Sequence, residues 1–103
     1  MSPVSTRAAI MQALISGDAY GLELIDRVHA ASGGTVTITQ GSIYVILPEL
    51  ESEGLVRSEY GEPRQGRPRV YYKLTAKGRR TALKTREIVL GLFGPEEEGE
   101  GIQ

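Results

Sequence analysis

Residues 39–75 constrain the fold of this chain more than any other stretch. They read TQGSIYVILPELESEGLV, then RSEYGEPRQGRPRVYYKLT. Ile43, Ile46, Leu47 and Leu50 recur at i, i+3, i+4 and i+7, which predicts a helix with one buried stripe. Thr39 is suited to cap its start and Gly54 to end it. Leu55 to Tyr60 reads as a strand, Gly61 to Pro68 as a turn, and Val70 to Leu74 as the return strand. Alternation along that strand sets Val70, Tyr72 and Leu74 on one face and Tyr71 and Lys73 on the other. A helix feeding directly into a tight hairpin leaves few ways to close a small core.

The flanking sequence supplies the other elements. Ser5 or Thr6 can cap a first helix to about Ile15, with Ala9, Ile10, Ala13 and Leu14 on one face. Ser16-Gly17-Asp18 is a turn, and Tyr20-Gly21 opens a second helix through Leu22, Leu24, Ile25 and Val28. That helix ends near Ser32-Gly33-Gly34. Thr35 to Ile38 is β-branched throughout and predicts a short strand or an extended link. Thr75 caps a fourth helix, Ala76 to Phe93, which Gly94-Pro95 terminates. Its residues Ala82, Leu83, Val89, Leu90 and Phe93 form an apolar stripe that one small domain can hardly bury alone. The tail, EEEGEGIQ, has the composition of a disordered acidic segment.

A chain of 103 residues is one domain with one modest core. It holds no cysteine and a single histidine, His29, so disulfides are excluded and a zinc site is not expected. No apolar run reaches the ~18–20 residues needed to span a bilayer, and the first residues lack a signal-peptide pattern. A cytoplasmic protein is expected. No nucleophile constellation, phosphate loop or dinucleotide fingerprint is present, and no paired carboxylates suit acid–base work. No enzymatic activity and no cofactor are expected.

The net charge of −1 conceals a strong segregation. Residues 1–56 sum to −4, residues 57–86 to +8, and residues 87–103 to −5. A segment that basic inside a near-neutral chain is the footprint of an anionic partner, although a solvated charged face would carry similar charge. Its position decides between them, because it coincides with the hairpin. Three helices, a basic hairpin and a further helix are the order of a winged helix-turn-helix: mainly α, with a small β-hairpin as the wing. The expected division is a DNA-binding domain over 1–75, a C-terminal dimerisation helix over 76–93 and a disordered tail over 94–103.

Four clusters of residues carry a family resemblance. They are Tyr20-Gly21-Leu22-Glu23-Leu24; Gly41-Ser42-Ile43-Tyr44 with Leu47, Leu50-Glu51 and Gly54-Leu55-Val56; Gly66-Arg67-Pro68-Arg69 with Tyr71-Tyr72 and Leu74-Thr75; and Ala76-Lys77-Gly78-Arg79. In this order, over about residues 8–93, they resemble the PadR family of bacterial transcriptional regulators. The resemblance implies a homodimeric DNA-binding repressor, without catalytic activity, on a pseudo-palindromic operator. It implies a dimer built by the C-terminal helix, partly against the first helix of the other subunit. Some members of the family respond to small molecules in a dimer-interface cavity. The fourth helix here is short, as in the smaller subfamily, so no separate effector domain is expected.

The candidate DNA contacts follow. Arg64, Arg67 and Arg69 have guanidinium forks suited to phosphate oxygens and narrow minor grooves, and Lys73 adds charge on the return strand. Thr39, Gln40 and Ser42 sit where free helix N–H groups attract phosphate, with Tyr44 beside them. Tyr20 and Gly21 offer a similar position on the second helix. The third helix turns Gly41, Val45, Pro48 and Ser52 outward, with Glu49 on the flank. None of these is an Arg, Lys, Asn or Gln, the usual bidentate base readers. Pro48 removes one helix hydrogen bond, at a cost of about 3 kcal/mol unless a kink relieves it, and Glu49 repels phosphate. Val45, Gln40, Ser42 and DNA shape are left to supply specificity. The candidate dimer contacts are Ile10, Leu14, Ala82, Leu83, Val89, Leu90 and Phe93. The uncharged outer face of the third helix also fits an alternative, a winged-helix protein–protein interaction module that has lost operator binding.

Overall fold

The computed structural model describes residues 5–62, 66 and 69–93. Its elements run α1 (Thr6–Ile15), β1 (Ala19–Tyr20), α2 (Gly21–Ala31), α3 (Gln40–Ser52), β2 (Val56–Tyr60), β3 (Val70–Leu74) and α4 (Ala76–Phe93). This is a winged helix-turn-helix, with a three-stranded antiparallel sheet in the order β1-β3-β2. The acidic tail and the arginines at 64 and 67 lie outside the described residues.

Local chemistry sets the helix starts. The Ser5 hydroxyl accepts from the Ala8 amide at 3.1 Å, and the Thr39 hydroxyl from the Ser42 amide at 3.1 Å. Both satisfy N–H groups that have no partner within the helix. α3 stays helical through Pro48, whose ring is solvent-exposed. Its stripe is buried as the periodicity predicts: Ile43, Leu47 and Leu50 have no exposed surface. Ile10 and Leu14 of α1, Leu24 of α2 and Val56 of β2 close the core against that stripe, and Ile38 plugs one end.

Thr35 to Ile38 takes the second of the two forms expected of it, an extended link, with Ile38 buried. The third strand is β1, whose Ala19 and Tyr20 stand opposite Tyr72 and Tyr71 of β3. A two-residue strand has no periodicity to detect, and β3 supplies what stabilises it. One expectation is corrected: Ile10, Leu14 and Ala82 are not available to a partner. They are at most 2 % exposed, inside the core of a single protomer. The apolar residues left exposed on α4, between 42 % and 73 %, are Leu83 and Leu90 on one side and Ile88 and Leu92 on another, with Val89 partly buried. Phe93 ends the helix, and its side chain lies outside the described set.

α4 is joined to the end of α3 by a dense set of backbone contacts. The Leu55 carbonyl accepts from the Thr75 amide at 3.1 Å. The Thr75 hydroxyl donates to the Gly54 carbonyl at 2.6 Å and accepts from the Gly78 amide at 3.0 Å. Lys77 Nζ donates to the Glu53 carbonyl at 3.1 Å. Gly78 is buried so closely on this corner that a Cβ would overlap the Leu55 carbonyl. Further along, Gln12 Nε2 donates to the Ala82 carbonyl at 2.7 Å and Arg86 Nε to Gln12 Oε1 at 3.1 Å, tying α4 to α1. Arg7 of α1 forms a bidentate ion pair with Glu53 at the end of α3.

Two tests follow from this packing. Gly78→Ala should lower unfolding stability by about 2–3 kcal/mol, as overpacking does. Gly91→Ala, where an added methyl meets nothing, should raise it by about 0.5 kcal/mol through helix propensity; urea denaturation measures both. For the ion pair, the Arg7 hydrogen bond holds the Glu53 carboxyl below its ordinary value. Its contribution is therefore present above the usual carboxylate range and is lost as pH falls through the lowered value. The Tm difference between wild type and Glu53→Gln should be small, because the pair is half-exposed, and should close on acidification from pH 7 to pH 3.

Candidate nucleic-acid interface

Three predicted residues meet where α2 begins. Gly21 is buried because the ring of Tyr44 lies over it; a Cβ there would stand 3.1 Å from Tyr44 Cε1 and 3.4 Å from its hydroxyl. Tyr44 remains half-exposed, so it is partly packing residue and partly surface. Tyr20 precedes the helix in extended conformation, and its amide donates to Glu23 Oε1 at 3.3 Å.

Tyr20 also connects to the wing. Arg69 holds its guanidinium carbon 4.1 Å from the centre of the Tyr20 ring, and Tyr71 meets that ring edge-on at 5.7 Å. Cation–π stacking fixes the plane of the guanidinium while leaving its N–H edges free to donate. The Gly61 amide donates to the Arg69 carbonyl at 2.8 Å and closes the hairpin base. Gly66 in the turn has φ +74°, a backbone that side-chain-bearing residues rarely adopt. Sequence reasoning missed the Arg69–Tyr20 stack, because only the pairing of β1 with β3 brings residues 20 and 69 together.

The remaining predicted contacts divide by what they already bind. Thr39, Gln40 and Ser42 are exposed at the start of α3. The Thr39 and Ser42 hydroxyls bond each other at 2.9 Å, and Thr39 also caps the helix. Lys73 is not a free cation: its Nζ lies 3.7 Å from carboxylate oxygens of both Asp18 and Glu59. Val45 is 59 % exposed on the outer face of α3, alongside exposed Gly41, Pro48, Glu49 and Ser52. The α3 glutamates differ. Glu51 accepts from Ser58 at 2.9 Å and Glu53 binds Arg7, whereas Glu49 has no side-chain partner among the described residues. Tyr72, on the same sheet face as Ser58, has its hydroxyl pKa raised by burial and by the nearby Glu51.

Arg27 is a second residue whose role the sequence concealed. Its guanidinium donates to the carbonyls of Ala13 at 3.1 Å, Gly17 at 2.8 Å and Asp18 at 3.4 Å, so it organises the turn before β1. No metal-binding group of three or more His, Cys, Asp or Glu occurs among the described residues. No described helix is long and apolar enough to cross a membrane.

Comparison with known proteins agrees with this fold. A PadR-like transcription factor from Bacteroides fragilis is 29 % identical, with a TM-score of 0.71 over 94 % of this chain and 88 % of that one. PadR of Bacillus subtilis, solved in complex with operator DNA, is 20 % identical and shares the fold, with a TM-score of 0.68 over 76 % of this chain and 44 % of that one. A curated relative, uncharacterized protein X of Lysinibacillus sphaericus, is 24 % identical over 70 residues, which span 68 % of this chain and 64 % of that protein. The model of the transcriptional regulator PadR-like family matches residues 10–84. The family and its solved members are transcriptional regulators rather than enzymes, and this chain belongs to the PadR-like family.

Proposed function

We propose that this protein is a cytoplasmic, DNA-binding transcriptional repressor that acts as a homodimer on a pseudo-palindromic operator. The observation that carries the reading is the stack of Arg69 on Tyr20, which joins the base of a wing rich in arginine to the Tyr20, Gly21 and Tyr44 patch and to the start of α3. Phosphate contacts from the wing and the two helix starts supply most of the affinity, and α3 enters the major groove. The solved complex of a fold relative with operator DNA supports the choice of partner.

The homodimer draws on α4. Leu83, Ile88, Leu90 and Leu92 leave an apolar surface without cover in one protomer. Beside α1 runs a groove of about 570 Å³, lined by Ala9, Ala13, Val28, Val36 and the stems of Arg27 and Arg86. We assign this region to contact with α4 of a second copy, and any small-molecule effector to the same interface. The competing reading, a protein-interaction module, draws on the exposed α3 face that lacks cations. A stoichiometric protein partner with no retained DNA in a pull-down would favour it.

Fluorescence anisotropy with DNA from upstream of the gene tests the main reading. Binding should weaken steeply with salt, with a log–log slope of about −0.9 per neutralised phosphate. Replacing Arg64, Arg67 and Arg69 together by alanine should weaken binding strongly at low salt and flatten the slope. Lys73→Ala should leave the slope unchanged, because Asp18 and Glu59 already neutralise that charge. Absence of binding at low salt contradicts the proposal. For assembly, sedimentation should give a dimer at micromolar concentration and a monomer for the Leu90→Glu, Leu92→Glu double variant.

A further inference from the structure

The exposed face of α3 offers an unusual set of groups to a DNA groove. At about 100° per residue, Val45 and Glu49 lie about 40° apart on one side of the helix and about 6 Å apart along its axis. Both are solvent-exposed. Around them Gly41, Pro48 and Ser52 present no amide or guanidinium. Ser42, on the same flank, accepts from the Thr39 hydroxyl and is the one side chain there with an O–H to donate. Purines are read in the major groove by side chains that donate, chiefly to guanine O6 and N7 or adenine N7. Val45 and Glu49 cannot donate. Val45 brings two methyl groups, and Glu49 brings an acceptor-only carboxylate that makes no hydrogen bond or ion pair among the described residues, unlike Glu51 and Glu53, although it lies near enough to Arg7 to favour that residue's charge.

The complementary groups on base edges are the C5-methyl of thymine and the exocyclic amino groups; adenine sets the N7 acceptor beside its N6 amino group, which opposes a carboxylate, so the N4 amino group of cytosine is the better match. Resting on the DNA-binding reading above, we infer that α3 reads pyrimidine edges, Val45 packing on a thymine methyl and Glu49 accepting from a cytosine amino group in the same half-site. The 6 Å rise between them corresponds to roughly two base-pair steps at 3.4 Å. Glu49 also acts against wrong sites. A carboxylate brought into a groove between phosphates is repelled unless a cytosine donor meets it, so it discriminates by penalty as well as by attraction.

The test starts from duplexes selected by the wild-type protein from a random library at low salt. The selected half-site should contain a thymine and a cytosine about two steps apart. Replacing that thymine by deoxyuridine, which removes only the methyl, should weaken binding about three- to fivefold per half-site. Val45→Ala, with folding checked by circular dichroism, should bind the thymine and deoxyuridine duplexes equally. Glu49→Gln should bind unselected DNA more tightly and lose about tenfold discrimination at the cytosine. A selected site indifferent to deoxyuridine, or a Glu49→Gln variant that keeps its discrimination, overturns the inference and leaves the DNA-binding proposal standing. Failure to select any duplex overturns both.

Discussion

The Leu55 carbonyl is where the architecture is joined. α3 has just ended at Gly54, and the chain is about to leave on β2, round the wing and back along β3. When it returns, the Thr75 amide donates to this same carbonyl, and the Thr75 hydroxyl spans Gly54 and Gly78. α4 can then start only with a glycine at position 78, because no Cβ fits against Leu55. One corner thus closes the hairpin, caps α4 and fixes the hairpin relative to α3. The wing base and the exposed side of α3 are held in one frame by one main-chain bond and the two bonds of the Thr75 hydroxyl.

A second tie operates at the opposite end of the sheet. Two residues of β1 pair with β3 and carry Tyr20 to the Arg69 guanidinium. Arg27 holds the preceding turn through three carbonyls. Together these connect the beginning of α2 to the wing, so that Tyr20, Gly21, Tyr44 and Arg69 form one patch. Neighbouring charges are balanced internally where they serve the fold, as Lys73 is by Asp18 and Glu59.

Much of this was legible in the sequence, and the parts that were not share a cause. The α3 stripe, its Thr39 cap, the limits of β3 and the range of α4 all follow from periodicity or capping, which are local properties. The outward placement of Val45, Pro48 and Glu49 follows from the same helical arithmetic. β1 was hidden because its stability comes from a strand fifty residues later in the chain. The Arg69 stack was hidden for the same reason, and the hub at Arg27 because its carbonyl partners Ala13, Gly17 and Asp18 are main-chain groups that leave no mark in the side-chain pattern. Ile10 and Leu14 were assigned to a partner because an apolar stripe does not say which surface covers it. In the structure α2, β3 and α4 of the same protomer pack on α1, and the apolar residues left exposed are Leu83, Ile88, Leu90 and Leu92 of α4.

On the proposed reading, affinity would come from charge on the wing and selectivity from a helix that offers few donors. The most direct test of that account is a hydroxyl-radical footprint on the DNA upstream of the protein's own gene. The account predicts two protected half-sites related by an inverted repeat, their centres about one helical turn or a multiple of it apart. Protection should fade when salt is raised. Uniform cleavage across the region at low salt, with folded dimeric protein in excess, would contradict it.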